Sequence, residues 1–414
     1  MGGFSEPSVL AEDGAWCWFQ GPRAVGVRGS IVVGSVASGW RDPSRRGTVQ
    51  ATTVDLASGR VHTIDFDRCP DGNDHCSPAL LELSDRRVLA VWTRHGSDDL
   101  VRSAVVITPD HPTDEPVPLL SRPWPGERLT YSNLIRLGSE GDLLYDIVRG
   151  PGWKPSVAVS RDGGSTWEPG GVLVDVPGEI RHRPYVRCHD DGRQRIDLLF
   201  TDGHPSERLT SVFHAYYERG LLHRSDGTVI GPLDSGIADP SNATLVLEGS
   251  PHAAPWLMDL TVDAAGRPAG LVSIRIDASD HRYVRLAWDG HDWTAVEIAF
   301  GGRCLYDAEA DYTGLAAFVP SDPGAVYLAT DAHPVTGVAL TGADGARHWE
   351  IWRGETDGGG KWSWTPVTTD STIDNLRPVT VGLADGRHAL LWLRGEYRTY
   401  IDHDLEVVGL FGLV

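Results

Sequence analysis

Short apolar runs recur about every ten residues from one end of the chain to the other, each closed by a turn, and this rhythm restricts the fold more than any other feature. Between residues 14 and 66 the runs are Ala15-Trp16-Cys17-Trp18-Phe19, Ala24-Val25-Gly26-Val27, Ser30 to Gly34, Thr48 to Leu56 and Val61 to Phe66. That spacing predicts an antiparallel meander. The rhythm continues through 78–93, 101–108, 130–149, 155–168, 184–201 and 211–218. It resumes over 257–276, 282–298, 314–330, 336–353, 361–368 and 378–410. No stretch has the 3.6-residue period of a long amphipathic helix, and no Pro/Ser-rich linker divides the chain. With 48 Gly, 27 Pro and 15 Trp against 2 Met, the composition also suits turns and large aromatic anchors. The expectation is an all-β chain folded as one unit over 1–414.

Ser160-Arg161-Asp162-Gly163-Gly164-Ser165-Thr166-Trp167 reads as an Asp-box hairpin turn, its Trp expected to pack on its own blade. Weaker echoes are Trp288-Asp289-Gly290-His291-Asp292-Trp293 and Gly358-Gly359-Gly360-Lys361-Trp362-Ser363-Trp364. Such turns punctuate β-propellers, in which four-stranded blades bury their faces on one another. At roughly 50 to 60 residues per blade the length predicts a seven-bladed propeller.

Within that frame the stretch from Asp71 to His95 stands out. Ala79, Leu81 and Leu83, then Leu89 and Val91, flank the polar turn Ser84-Asp85-Arg86-Arg87, predicting a hairpin with His75 and His95 at its open ends. The next hairpin repeats the arrangement with Tyr131 and Arg149. Arg183-Pro184-Tyr185 and His204 follow at later strand ends. Propeller strands converge radially, so equivalent ends line one funnel.

This set suits proton abstraction beside a carboxylate. Arg149 is the candidate for neutralising the carboxylate, because a guanidinium fork pairs with it bidentately and stabilises the enediolate-like charge that develops. His75 and Tyr131 are the candidate base and acid, in an order the residues leave open. A tyrosinate whose pKa is lowered by neighbouring cations is one form of base. His95 and Tyr185, with Arg183 and Arg377, are candidates for binding the sugar.

Other chemistries are less well supplied. Asp74, Asp146, Asp162, Asp202 and Glu309 show no pairing suited to glycoside hydrolysis. A sialidase-like triad would have to be drawn from Arg23, Arg149 and Arg377. A structural metal has weak candidate ligands in Cys188, His189, His204, His214, His252 and Cys304, of which His204, His252 and Cys304 are retained; no cofactor is required. Gly358-Gly359-Gly360-Lys361 lacks the strand-to-helix setting of a phosphate loop. The net charge, 37 minus 57 or −20, without a Lys/Arg run, argues against nucleic acid as a partner. The N-terminal residues have neither a basic nor an apolar leader region, and no segment is long and apolar enough to span a bilayer. Five cysteines, mostly far apart and odd in number, are expected to be reduced thiols, and a cytoplasmic location follows as the expectation.

The chain resembles the BNR-repeat seven-bladed propellers that include ulvan lyases and rhamnosyl-glucuronate lyases. The resemblance is carried by Trp16-Cys17-Trp18-Phe19-Gln20-Gly21-Pro22-Arg23, Asn73-Asp74-His75-Cys76-Ser77-Pro78-Ala79-Leu80 and Thr130-Tyr131-Ser132-Asn133. It continues through Arg183-Pro184-Tyr185, Thr201-Asp202-Gly203-His204-Pro205 with His214-Ala215-Tyr216-Tyr217, Arg377-Pro378 and Arg394-Gly395-Glu396-Tyr397. It implies β-elimination at a uronic acid linked to rhamnose, in an oligosaccharide or polysaccharide, with His75, His95, Tyr131, Arg149 and Tyr185 in the active site. Two alternatives remain: a hydrolase releasing rhamnose from glucuronate on the same fold, and a propeller that binds acidic glycans without turnover.

Overall fold

The computed structural model describes residues 6–108, 112, 116–176, 183–207, 209–250 and 253–414. Seven antiparallel sheets follow one another along the chain, spanning 24–68, 79–121, 134–172, 186–247, 254–302, 316–366 and 374–413, and are numbered here as blades 1 to 7. The seven-bladed β-propeller expected from the sequence is therefore the fold. Its ring is closed by hydrogen bonds: Ser8–Ala11 pairs with Asp402–Leu413 as the fourth strand of blade 7, setting Ser8 opposite Gly409.

Strand order within each blade is the sequence order of a meander, except for the N-terminal strand that completes blade 7 and the added pairing in blade 4. There Val212–Glu218 pairs with Leu221–Arg224 along one half and with Thr244–Leu247 along the other, giving six strands. The second strands are apolar without alternation. Val88–Trp92 is buried at every position, as is the run Leu390 to Leu393, because a central propeller strand is covered on both faces. Each core cluster accordingly straddles neighbouring blades: one joins Val32 and Val49 of blade 1 to Leu80 and Ala90 of blade 2, and another joins Ile135 and Tyr145 of blade 3 to Leu198 and Tyr217 of blade 4.

Trp167 corrects one expectation. The Asp-box turn is present, with Asp162 accepting from the Thr166 amide at 2.9 Å and from its hydroxyl at 2.7 Å. The indole, however, reaches the preceding blade, donating to Ser103 Oγ at 2.8 Å. Trp293 likewise leaves blade 5 to donate to Ser225 of blade 4 at 2.9 Å. The turn fixes the start of an outer strand, and from there the indole bridges to the adjacent sheet.

Ala15 to Phe19 is a second correction. The run is apolar because it is buried, but it forms only an isolated bridge from Ala15 to Val36 and enters no sheet. Residues 15–23 instead plug the axis of the ring. Phe19 packs 5.7, 4.6 and 5.1 Å from the rings of Tyr131, Tyr185 and Trp256, and Trp18 packs edge-on against Tyr312 at 4.5 Å.

Cysteine pairing is a third. Cys69 and Cys76 form a disulfide, their Cα atoms 6.4 Å apart, while Cys17, Cys188 and Cys304 are free. The turn at Pro70-Asp71-Gly72 folds the chain back, so a seven-residue separation becomes a bridgeable distance. No helix among the described residues is long and apolar enough to cross a membrane.

Candidate active site

The innermost strands all begin at one face of the ring; His75, Tyr131, Arg183 and Tyr185 precede them, while His95 and Arg149 lie where second strands return to that face. Asn73 caps a single 3₁₀ turn over Asp74–Cys76 by accepting from the His75 amide at 3.0 Å, which places His75 just before Ala79–Glu82. That strand pairs with Val88–Trp92 as expected, Ala79 opposite Val91, so His95 returns to the same end. Tyr131 precedes Leu134–Leu137, and the backbones of Thr130 and Arg149 exchange hydrogen bonds at 3.0 and 2.8 Å, closing the second hairpin. Tyr131 has φ of 62°, a left-handed conformation that costs an L-residue roughly 1–2 kcal/mol and is held here by the packed surroundings.

Five side chains therefore meet. His75 and His95 stack with centroids 4.2 Å apart, Tyr131 lies 5.4 Å from His75, and Tyr185 lies 6.1 Å from Tyr131. The Arg149 guanidinium sits over the Tyr185 ring at 3.7 Å and the Tyr131 ring at 5.2 Å, and its Nη1 donates to Tyr185 Oη at 2.9 Å. Tyr400 closes the wall edge-on, 5.2 Å from His75 and 5.8 Å from His95.

The two imidazoles are driven apart electrically. His75 Nδ1 is 2.6 Å from Asp74 Oδ1. Burial opposes its charged form, but the Cys17 sulfur and the Asp74 carboxylate outweigh burial and push its pKa up to about 10. Asp74 is itself fully buried; burial alone would raise its pKa, yet Arg377 at 2.6 Å and His75 hold it well below the usual carboxylate range. Tyr397 Oη also donates to Asp74, at 2.9 Å. His95, in contrast, is held neutral by burial, His75 and Arg149, its pKa falling to about 2. Because Asn73 Oδ1 is engaged by the His75 amide, its Nδ2 donates to His95 Nδ1 at 3.0 Å, which leaves the His95 proton on Nε2.

Tyr131 is not the tyrosinate considered from the sequence. Burial and the neighbouring Tyr185 raise its pKa well above 10, and Arg149 only partly offsets them, so it is a neutral phenol that donates. Below it, burial holds Asp146 up at about 7 while it accepts from the Asn133 amide at 2.9 Å and from Ser132 Oγ at 3.2 Å.

The remaining candidates divide. Arg183 lies at the rim, its Nε donating to Glu207 at 3.2 Å, close enough for its charge to bear on His95 and His204. Arg377 does not face a substrate: it is 1% exposed, spans Asp74 and the Trp16 carbonyl, and lies 4.2 Å from the centre of the Tyr397 ring. It positions Asp74. Arg23 is committed to the carbonyls of the plug, which leaves Arg149 alone of the three beside Tyr131 and Tyr185, so no arginine triad forms. His204 packs 5.5 Å from Tyr185 and 4.8 Å from Trp256, kept neutral by burial and Arg183 with a pKa of about 3. Among the described residues neither His204 nor Cys304 falls in a cluster able to hold a metal; the groups that do converge are Cys17-Asp74-His75 and Cys69-Asp71-Cys76, and in the second both sulfurs are taken up by the disulfide. His252 lies outside the described residues.

Asp74, Tyr400 and Trp256 complete the candidate site. The sequence offers Asp74 only as a possible hydrolase carboxylate, although its place immediately before His75 is a usable signal; Tyr400 and Trp256 carry none.

The model of the BNR repeat-containing family matches residues 38–300. No curated protein sequence matches the chain. Among solved structures, a polysaccharide lyase family 25 ulvan lyase bound to -[GlcA(1-4)Rha3S]- superposes with a TM-score of 0.70 at 13% identity, covering 99% of this chain and 96% of that one. A second structure of a family 25 ulvan lyase gives 0.67 at 13% identity over 100% and 96%. Polysaccharide lyase Uly1 gives 0.60 at 12% identity over the whole of both chains. At these identities the likeness is one of fold.

Proposed function

The chain belongs to the BNR repeat-containing family, and from that footing we propose that it is a polysaccharide lyase cleaving a rhamnose–uronic acid linkage by β-elimination. The observation that supports this most is the opposed pair of imidazoles beside a neutral phenol and a buried arginine. Such a set supplies a base, an acid and a carboxylate clamp within one wall.

In this reading Arg149, with the His95 Nε2–H, receives the uronate carboxylate. Neutralising that carboxylate makes the adjacent C–H acidic, and the fixed cation meets the negative charge as it grows. His75, oriented by Asp74 through Nδ1, takes the α-proton at Nε2 in the minor fraction of molecules that has lost its own proton, since a pKa of about 10 leaves the ring an imidazolium at neutral pH. The electron pair forms the double bond to the β-carbon, whose bond to the linkage oxygen breaks. The Tyr131 phenol hands its proton to that oxygen. Tyr185, Tyr400 and the rim Arg183 shape the sugar subsite. No metal enters any step.

Glucuronate–rhamnose oligomers of the kind named in the similar ulvan lyase are the substrates to test first. Growth of ultraviolet absorbance from a conjugated double bond supports the lyase. Release of rhamnose without that absorbance supports hydrolysis, and binding without either product supports a silent glycan-binding propeller. As to location, the Cys69–Cys76 disulfide fits an oxidising compartment better than the cytoplasm.

A further inference from the structure

The plug divides the axis of the ring, and on the side away from His75 lies a cavity of about 540 Å³. Its walls are the later halves of the innermost strands, from Arg187 to Asp190 in blade 4, Met258 to Thr261 in blade 5 and Val379 to Gly382 in blade 7. His75, Tyr131 and Tyr185 precede innermost strands, and His95 and Arg149 lie where second strands return to the same end, so the cavity opens toward the opposite face.

Its inner end is positively charged. Arg23 and Arg187 are each 8% exposed and Arg377 is 1% exposed. Arg187 Nη2 pairs with Asp259 at 3.2 Å, but the other oxygen of that carboxylate already accepts from the Phe318 amide at 2.9 Å. Arg377 pairs with Asp74, which also serves His75. Arg23 makes no ion pair among the described residues; its Nη1 donates to the carbonyls of Trp18 at 2.8 Å and Cys17 at 3.2 Å. Among the described residues the Nε atoms of all three arginines have no hydrogen-bond partner. Three buried guanidiniums thus face two carboxylates, one of them shared with an imidazolium. An uncompensated buried cation is costly, and burial together with Arg187 brings the Arg23 pKa down to about 9. Glu82 and Asp190 lie toward the mouth, where they disfavour entry of a large polyanion.

We propose that this rear chamber is an anion-binding site, taking a small inorganic anion, a halide or a tetrahedral oxyanion, against Arg23 and Arg187. The site is independent of the sugar chemistry on the front face, and its charge deficit belongs to the fold itself.

Calorimetric titration of the full chain with sulfate and, separately, with chloride, in buffer free of both, tests this. Saturable binding of either is expected, weakened about tenfold or more in Arg187→Met. Asp259→Asn, which removes the competing carboxylate, should tighten binding several-fold and remains informative if Arg187→Met does not fold. Arg149→Met, which alters only the front face, should bind as the parent does. Absence of saturable binding, unchanged or weaker binding in Asp259→Asn, or loss of binding in Arg149→Met would each overturn the proposal.

Discussion

The rings of His75 and His95 lie face to face, 4.2 Å between centroids and 12° from parallel, yet at neutral pH one is a cation and the other neutral. Stacking two imidazoliums would place like charges in contact, so protonating one suppresses the other. Asp74 decides which ring carries the proton.

The pH profile should show this directly. If His75 is the base, kcat/KM rises about tenfold per pH unit up to a pKa of about 10 and then levels. Asp74→Asn should move that rise toward neutral pH and lower kcat on the order of 10²-fold or more, because the ring loses its orienting partner. A profile that is level through neutral pH and falls above about pH 10 would assign His75 the acid role instead. The same group makes stability pH-dependent: its folded pKa lies above 6.5, so its contribution is complete below pH 6.5 and is lost as pH rises through about 10.

Tyr131→Phe removes the proton donor and leaves the ring packing. The expected result is a kcat lower by about 10²- to 10⁴-fold with little change in KM. A substrate whose leaving oxygen needs no protonation, such as a nitrophenyl uronide linked at the β-carbon, should recover much of the loss. Equal loss on both substrates would count against Tyr131 as the acid.

Trp167 bridges blades 2 and 3, so its loss is felt as ring stability. Trp167→Phe gives up the bond to Ser103 and should cost about 1 kcal/mol. Trp167→Ala opens a cavity in a site only 4% exposed and should cost about 3–5 kcal/mol. Denaturant unfolding measures both.

Peptide mapping after alkylation of the unfolded, unreduced protein should label Cys17, Cys188 and Cys304 and leave Cys69 and Cys76 joined. Cys69→Ser with Cys76→Ser should lower stability by about 2 kcal/mol, since the closed loop is short.

The hairpins around 71–95 and 130–149 were legible because a meander writes each pairing into adjacent sequence, and the turn that joins two strands also fixes which residues meet at the open end. His75 with His95 and Tyr131 with Arg149 are products of that local logic. The contacts that tune them are not local. Asp74 meets Arg377 and Tyr397 across 303 and 323 residues, and Trp167 finds Ser103 on another sheet. The run Ala15 to Phe19 is as apolar as any strand, and nothing in its pattern distinguishes burial in a sheet from burial on an axis. Cys69 and Cys76 were misjudged because the count of cysteines, rather than the turn between this pair, guided the expectation.

The plug over 15–23 touches Tyr131 and Tyr185 with Phe19 and lines the rear cavity with Trp16, Trp18 and Arg23. It is a party wall between two rooms. A substitution made to widen the sugar subsite at Phe19 also shifts the masonry behind it, so the two chambers cannot be redesigned one at a time through this segment. Changes of specificity are more freely made at His95, Tyr185 or Tyr400, none of which lines the rear cavity.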